Sequence, residues 1–513
     1  MNNLKSRIGL ANKKDIICFR KQFMSDGNTN LLFCSNSGKL LGTSRDNRIS
    51  NRNWNVIVVG EPHEVRDNYI LPNLDAMHSS SVIIGDDGIC DERKEQYKTK
   101  ECHVYTIDTR TDAEHTSRFN PLLHMAKRNK KIMPNQSDEI HFRRLLYSMA
   151  ETIMWYYGQK NMVEFLHSKR PETEDKLEQR KYDTERHHAE AVRFILKIAL
   201  EYVCTEKDLP KGQRTFRTAY NTLMNLIEED NEGSEKCLTA YNKYSDGWIA
   251  IWKNNLPVHQ FSISSDCDDI MSVPADWIRE AALCLQVLSN CICFTEDDDT
   301  DNVSIQELAN ELTYVFVKDD FTYAQTNGFL TTIMADLLYA YGESDLPNNQ
   351  TYQFLPQNVF FYIRNFPFIP LYNFWHLFCT CRPYGIGFSL GMRSLEEMKF
   401  IERYGCCGET ITCNADTHLF FGLSLNPDKS ITDIAYIQKN IPLYNVNGKI
   451  KTYQQFHKMI NKKRFVGTTA VIPYKTIPAM TEQEIQETLA SGKMFLLFRN
   501  FYPILGDRLE DKK

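Results

Sequence analysis

The sequence predicts an α/β fold with a mostly parallel sheet, interrupted by an inserted all-α domain. Three observations carry that expectation. Val56–Val59 is a run of four apolar residues without alternation, the pattern of a strand covered on both faces. A turn and a helix follow, and then SSVIIGDD (Ser80–Asp87) makes a second such strand. Strand, helix, strand at this spacing is a βαβ unit, which favours parallel strands. From about 138 to 290 the texture changes to apolar residues three and four apart, separated by polar loops such as Ser168–Asp183, as in a set of amphipathic helices. The expected boundaries are a discontinuous α/β core over 1–135 and 300–513, and a helical domain over 136–299.

Taken in order, residues 1–50 hold short apolar runs at Ile16–Phe19 and Leu31–Phe33 between Gly, Asn and Ser, which predicts short strands and turns. Gly60 ends the first strong strand. The helix after it is expected over Asn68–Met77, with Pro72 as a kink or early stop. Val82–Ile84 and Val104–Ile107 are the next strands. Helices are expected at His141–Tyr157, His187–Val203, Thr215–Ile227 and Pro274–Ser289. The acidic run Glu296–Asp301 reads as a solvated linker rather than a metal site.

Beyond the linker, Ser304 with Glu307 forms a capping-box pattern for a helix to Leu312. Tyr314–Val317 predicts a strand, and Phe329–Tyr341 an apolar helix stopped by Gly342. Val359–Ile363, Gly387–Leu390 and His418–Phe421 are further buried strands. Thr481–Ala490 predicts a helix and Met494–Phe498 the closing strand.

Composition narrows the function class. The chain is 42% apolar and 25% charged, ordinary for a globular protein, with a net charge of −6. No global field therefore draws it to DNA or anionic lipid. No apolar h-region follows the start and no run suits a membrane span, so a cytoplasmic location is expected, with membrane association through partners. The 15 cysteines are scattered and read as reduced thiols. Cys379-Thr-Cys381 and Cys406-Cys407 with Cys413 fit no zinc spacing, and Cys379 lies in an apolar run that points to the core.

Several short motifs occur in a fixed order: Arg52-Asn-Trp-Asn-Val-Ile-Val-Val-Gly60, Leu71-Pro-Asn-Leu74, Phe119-Asn-Pro-Leu122, Cys381-Arg-Pro-Tyr-Gly-Ile386, Tyr404-Gly405, Cys413-Asn-Ala-Asp-Thr417, Phe420-Phe-Gly422 and Met480-Thr-Glu-Gln-Glu-Ile485. In this order the chain resembles the TraG/TraD-like coupling proteins of type IV secretion and conjugation. The resemblance implies a RecA-like P-loop nucleotide-binding domain, an inserted all-α domain, ATPase activity, and partners such as a relaxase and the secretion apparatus. Members usually carry N-terminal membrane helices, for which no apolar run is found here.

The catalytic positions depart from that family. A working P-loop, G-x-x-x-x-G-K-[ST], uses backbone N–H groups and Lys on phosphates and a hydroxyl on Mg²⁺. Here Gly60 is followed by Glu-Pro-His-Glu-Val-Arg-Asp-Asn68, one residue short, without the second Gly, the Lys or the Ser/Thr. Glu61, Glu64 and Asp67 against Arg66 leave the loop with an excess of negative charge, which repels a triphosphate. The acidic pair expected after Val359–Ile363 is replaced by Arg364-Asn365, and the polar Gln expected after the next strand by Arg393. The expectation is an inactive ATPase with no cofactor, its pocket filled by ion pairs between these acids and Arg364 and Arg393, or else these side chains point into solvent.

Lys127, Arg128, Lys130 and Lys131, with Arg143 and Arg144, could touch DNA phosphates or a partner, although runs of this length are more often solvated faces. Two other readings stay open: an active DNA-transfer ATPase using unconventional residues with ATP and Mg²⁺, and a scaffold unrelated to transfer.

Overall fold

The computed structural model describes residues 10–24, 30–46, 52–76, 78–86, 88–98, 102–111, 113, 116–132, 136–158, 162–172, 175–229, 235–237, 275–295, 301–344, 355–401, 408–424, 426–441, 443–445, 476–478 and 480–509. Cys406, Cys407, Tyr404, Gly405 and most of the acidic run Glu296–Asp301 lie outside them.

An eleven-stranded sheet organises the molecule. Its strands are β1 (Asn30–Asn36), β2 (Lys39–Ser44), β3 (Val56–Val59), β4 (Ser80–Asp86), β5 (His103–Ile107), β6 (Thr313–Lys318), β7 (Val359–Ile363), β8 (Ile386–Met392), β9 (Thr417–Phe420), β10 (Lys493–Phe498) and β11 (Ile504–Asp507). The spatial order is β2-β1-β11-β10-β9-β3-β8-β7-β4-β6-β5. From β9 to β5 every neighbour is parallel; from β9 back to β2 every neighbour is antiparallel. The first βαβ unit does run parallel, but β3 and β4 are not neighbours, because β7 and β8 lie between them. Periodicity reports burial, not which later strand slots in.

Both faces of the sheet are covered, as the unbroken apolar runs require. Val56 and Val58 join one core cluster with Phe19, Tyr69 and Leu74. Ile57 and Val59 point the other way, into the cluster shared with the helical region. Alternate residues of one strand thus feed two cores.

Several expectations are corrected. Ile16–Phe19 belongs to a helix, α1 (Lys13–Phe23), not a strand. Asn12 caps it reciprocally with Asp15, and Ile16, Phe19 and Phe23 form its buried stripe. The helix after β3 begins at Pro62 rather than Asn68. It comprises Pro62–Val65, a π turn at Arg66–Ile70, and Leu71–Asp75, together α2. Pro72 does not stop it. The π turn lets Leu71 N–H reach the Arg66 carbonyl, and side-chain amides serve other carbonyls, Asn68 on Glu64 and Asn73 on Tyr69.

Asp86 closes β4, and its Oδ1 accepts from Ile89 N–H at 2.8 Å, which starts α3 (Ile89–Lys98). The helical region holds α4 (Pro121–Ile132), α5 (Gln136–Tyr157), α6 (Met162–His167), α7 (Lys176–Thr205), α8 (Phe216–Met224) and α9 (Ala275–Asn290). It is not wholly helical: Ile227–Glu229 and Glu235–Cys237 pair antiparallel. Further on come α10 (Ile305–Asn310) and α11 (Ala324–Ser344). Ser304 caps α10 through Gln306 N, while Glu307 accepts instead from Tyr105 Oη at 3.0 Å. Gly342 does not end α11. A Cβ there would stand 2.8 Å from the Tyr384 ring, so its smallness serves a close approach. The chain finishes with α12 (Phe374–Thr380), α13 (Gly408–Asn414), α14 (Pro427–Asn440) and α15 (Glu482–Ala490).

The helical region is tied to the sheet domain by polar contacts on buried rings. Tyr156 Oη donates to the Pro370 carbonyl at 2.7 Å and lies 3.0 Å from Thr332 Oγ1. Glu151 collects His167 at 2.6 Å, Arg193 at 2.8 Å and the Tyr372 hydroxyl. Burial opposes its charge, but these hydrogen bonds hold the Glu151 carboxyl below its ordinary range. Cys379 is exposed, not in the core, whereas Cys381 is buried. Among the described residues no helix is long and apolar enough to cross a membrane, and no cluster of three or more His, Cys, Asp or Glu is placed to hold a metal.

Candidate functional site

The C-terminal ends of β3, β8, β7 and β4 form one edge, where open α/β sheets place their ligands. The turn after β3 starts at Gly60, whose N–H donates to the Met392 carbonyl at 3.0 Å. Glu61 is extended and Pro62 opens α2, where its missing N–H costs nothing.

Glu64 turns back over this loop. Its Oε2 accepts from Glu61 N–H at 3.0 Å, and its Oε1 lies 2.8 Å from a guanidinium nitrogen of Arg508. A Cβ on Gly422 would stand 2.7 Å from that Oε2, and one on Gly60 3.2 Å from it. The carboxylate therefore rests in a hollow that two glycines leave open. Arg508 also donates to the Phe421 carbonyl and so fastens the tail after β11 across the loop.

Arg364 occupies the adjacent strand end. It is 3% exposed and donates to the Gly85 carbonyl at 2.9 Å and the Pro62 carbonyl at 3.4 Å. Its own N–H donates to the Ile84 carbonyl at 3.2 Å, and a Cβ on Gly391 would sit 2.7 Å from its carbonyl. One buried cation thus joins the ends of β7 and β4 to the loop after β3. Next to it, Asn365 donates to Asp319 Oδ2 at 3.3 Å.

The remaining site residues divide as follows. Arg393 meets Glu61 at 3.7 Å, with the arginine half exposed. Arg66 points away from the loop, to Glu92 on α3 at 2.5 Å and Asp67 at 3.7 Å. Of the ion pairs expected between the loop acids and Arg364 and Arg393, Glu61–Arg393 is present; the contacts described for Glu64 and Asp67 run instead to Arg508 and Arg66, and those for Arg364 to carbonyls. The sequence did not name Arg508, Glu92 or Gly422. Arg508 stands at the far end of the chain, and no local pattern points from it to the loop.

No protein-family model matches the sequence, and no curated protein matches it. Similarity appears in the backbone. The bacterial conjugative coupling protein TrwB, in its trigonal form with sulphate, superposes with a TM-score of 0.54 at 11% identity, over 99% of this chain and 95% of that one. TrwB in complex with ADP and Mg²⁺ gives 0.54 and 11%, over 98% and 94%. The unbound monoclinic form gives 0.54 and 10%, over 97% and 92%. This is the fold of the conjugative coupling proteins.

Within the coupling-protein fold, the motifs quoted above mark structural joints. In Leu71-Pro-Asn-Leu74, Asn73 Oδ1 accepts from Leu32 N at 2.8 Å and its Nδ2 donates to the Leu32 carbonyl at 2.9 Å, pinning α2 to β1. In the Asn-Pro motif, Asn120 Oδ1 accepts from Leu122 and Leu123 N–H and Nδ2 reaches the Arg214 carbonyl at 2.8 Å, so it starts α4 and anchors it to the helical region. The side chains of Lys127, Arg128, Lys130 and Lys131 lie outside the described residues. Arg143 is half-buried and Arg144 exposed on α5.

Proposed function

We propose that this chain is a non-catalytic relative of the coupling proteins, a binding or regulatory component of conjugative DNA transfer. One observation carries the reading: at the edge where phosphate and Mg²⁺ chemistry would be done, the protein's own side chains take the places. Glu64, held by Arg508, lies on the loop, and Arg364 bridges the strand ends. These residues do not fit a Mg²⁺–nucleotide. An anion seated on Glu61 N–H meets a carboxylate, and a divalent cation at the end of β7 meets a guanidinium.

The coupling-protein fold, with its helical region, then serves as surface for proteins of the transfer apparatus, such as a relaxase or an active coupling ATPase. The test is calorimetric titration of Mg²⁺–ATP into the chain, with an active coupling ATPase as control. Absence of binding at millimolar nucleotide is expected. Saturable binding with turnover would overturn the reading and favour an ATPase with unconventional residues.

A further inference from the structure

We propose that Arg45 holds a small oxoanion in a closed site between the β1–β2 hairpin and the N-terminal ends of β4 and β7, the sheet edge opposite the degenerate loop. Arg45 follows β2 and is 4% exposed. One terminal nitrogen, Nη1, donates to Ser79 Oγ just before β4, and the Arg45 carbonyl accepts from Asn358 Nδ2 at 3.0 Å just before β7. Its guanidinium carbon lies 5.3 Å from the centre of the Phe360 ring. The other two nitrogens, Nε and Nη2, are buried and make no hydrogen bond among the described residues.

Those two nitrogens identify the ligand class. With Nη1 engaged, Nε–H and Nη2–H are the parallel prongs of the guanidinium, the edge that takes two oxygens of one carboxylate or phosphate. Thr43 Oγ1, on β2 two residues before Arg45, is likewise buried without a partner among the described residues. The ionisable side chains interacting with Arg45 are the tyrosines Tyr362, Tyr314 and Tyr69, which burial keeps neutral, so they supply no counter-charge. Arginine cannot shed its proton, and a buried cation without a counter-charge is strongly disfavoured. Its field reaches outward: burial and then Arg45 push the His78 imidazole below its ordinary range. A two-oxygen anion satisfies the fork and the charge together; phosphate, bicarbonate and formate share that chemistry.

The experiment is thermal unfolding of the full chain in phosphate, bicarbonate or formate, each against chloride at equal ionic strength, with equilibrium dialysis of radiolabelled phosphate. A saturable rise in Tm over chloride, with retained phosphate, is expected; the oxoanion giving the largest rise names the source. Arg45→Lys keeps the charge without the fork and should abolish the rise, and Thr43→Val should reduce it. Arg508→Ala, at the other edge, should leave it intact. Dialysis of the wild-type chain decides the matter even where the Arg45 variant fails to fold. No oxoanion-specific rise and no retained phosphate, or an undiminished rise in Arg45→Lys, would overturn the proposal; so would its loss in Arg508→Ala.

Discussion

The two ends of the parallel strands carry arginines, Arg364 and Arg45 buried and Arg508 half-buried, in different circumstances. At the C-terminal end, Arg364 and Arg508 reach carbonyl and carboxylate oxygens supplied by the loop, β4 and the segment after β9. At the N-terminal end, Arg45 keeps two donors unused among the described residues. The first edge is closed by its own residues; the second is completed from outside. Residue type alone does not separate a filled site from a receptive one. What separates them is whether the fold delivers an oxygen to both terminal guanidinium nitrogens, as it does for Arg364 and Arg508 and does not for Arg45.

The largest test of this contrast removes the filling. Arg364→Met strips donors from the Gly85 and Pro62 carbonyls at a buried position and should cost roughly 2–4 kcal/mol. Urea unfolding would measure it, and a loss below about 1 kcal/mol would mean that Arg364 does not hold this edge together. Arg508→Ala leaves Glu64 facing the glycines without its cation. About 1–3 kcal/mol is expected, and much of it should return in the double variant with Glu64→Gln, as coupling in a double-mutant cycle.

A third test concerns a group of opposite sign. Asp433, on α14, is fully buried, and its Oδ1 accepts from Leu395 N at 2.8 Å. Burial pushes its carboxyl up to about 7. Because the folded value lies above the unfolded one, the protonated form favours folding, and stability falls as pH rises from the ordinary carboxylate range, about 4, to about 7. Asp433→Asn should flatten that decline, read as a smaller Tm difference between acidic and mildly alkaline buffer. An unchanged pH profile would remove Asp433 from the account. The contrast with Arg45 is chemical: a buried acid can neutralise itself by taking a proton, and an arginine cannot. Smallest of all, Arg393→Ala breaks an exposed pair with Glu61 and should change stability by less than about 0.5 kcal/mol, measurable by the same urea titration.

Much of the scaffold was legible because its strands are unbroken apolar runs; Val359–Ile363 coincides with β7 residue for residue. Strand order was not, since nothing in β3 or β4 announces that β7 and β8 come between them. Nor was α1, whose short apolar run hides a helical stripe until Phe23 and the Asn12 cap are added. β11, Ile504–Asp507, is short and only half buried, so its pattern is faint. At the site, the departures from the P-loop pattern were legible as residue types after Gly60 and Ile363. The replacement was not: Glu64 is read as one more repelling charge until Arg508, Gly60 and Gly422 are seen around it.

The π turn in α2 bears on any attempt to rebuild the loop. A π turn carries more residues per turn than an α turn, and this one lies between the loop after Gly60 and the Leu71-Pro-Asn-Leu74 joint. Point substitutions that restore glycine, lysine and threonine would leave the loop's length and the helix phase as they are. Reconstruction by protein engineering therefore calls for a paired insertion and deletion: one residue added after Gly60 and one removed from Arg66–Ile70. The helix beyond would then keep its grip on Leu32 while its first turn swings to a new heading.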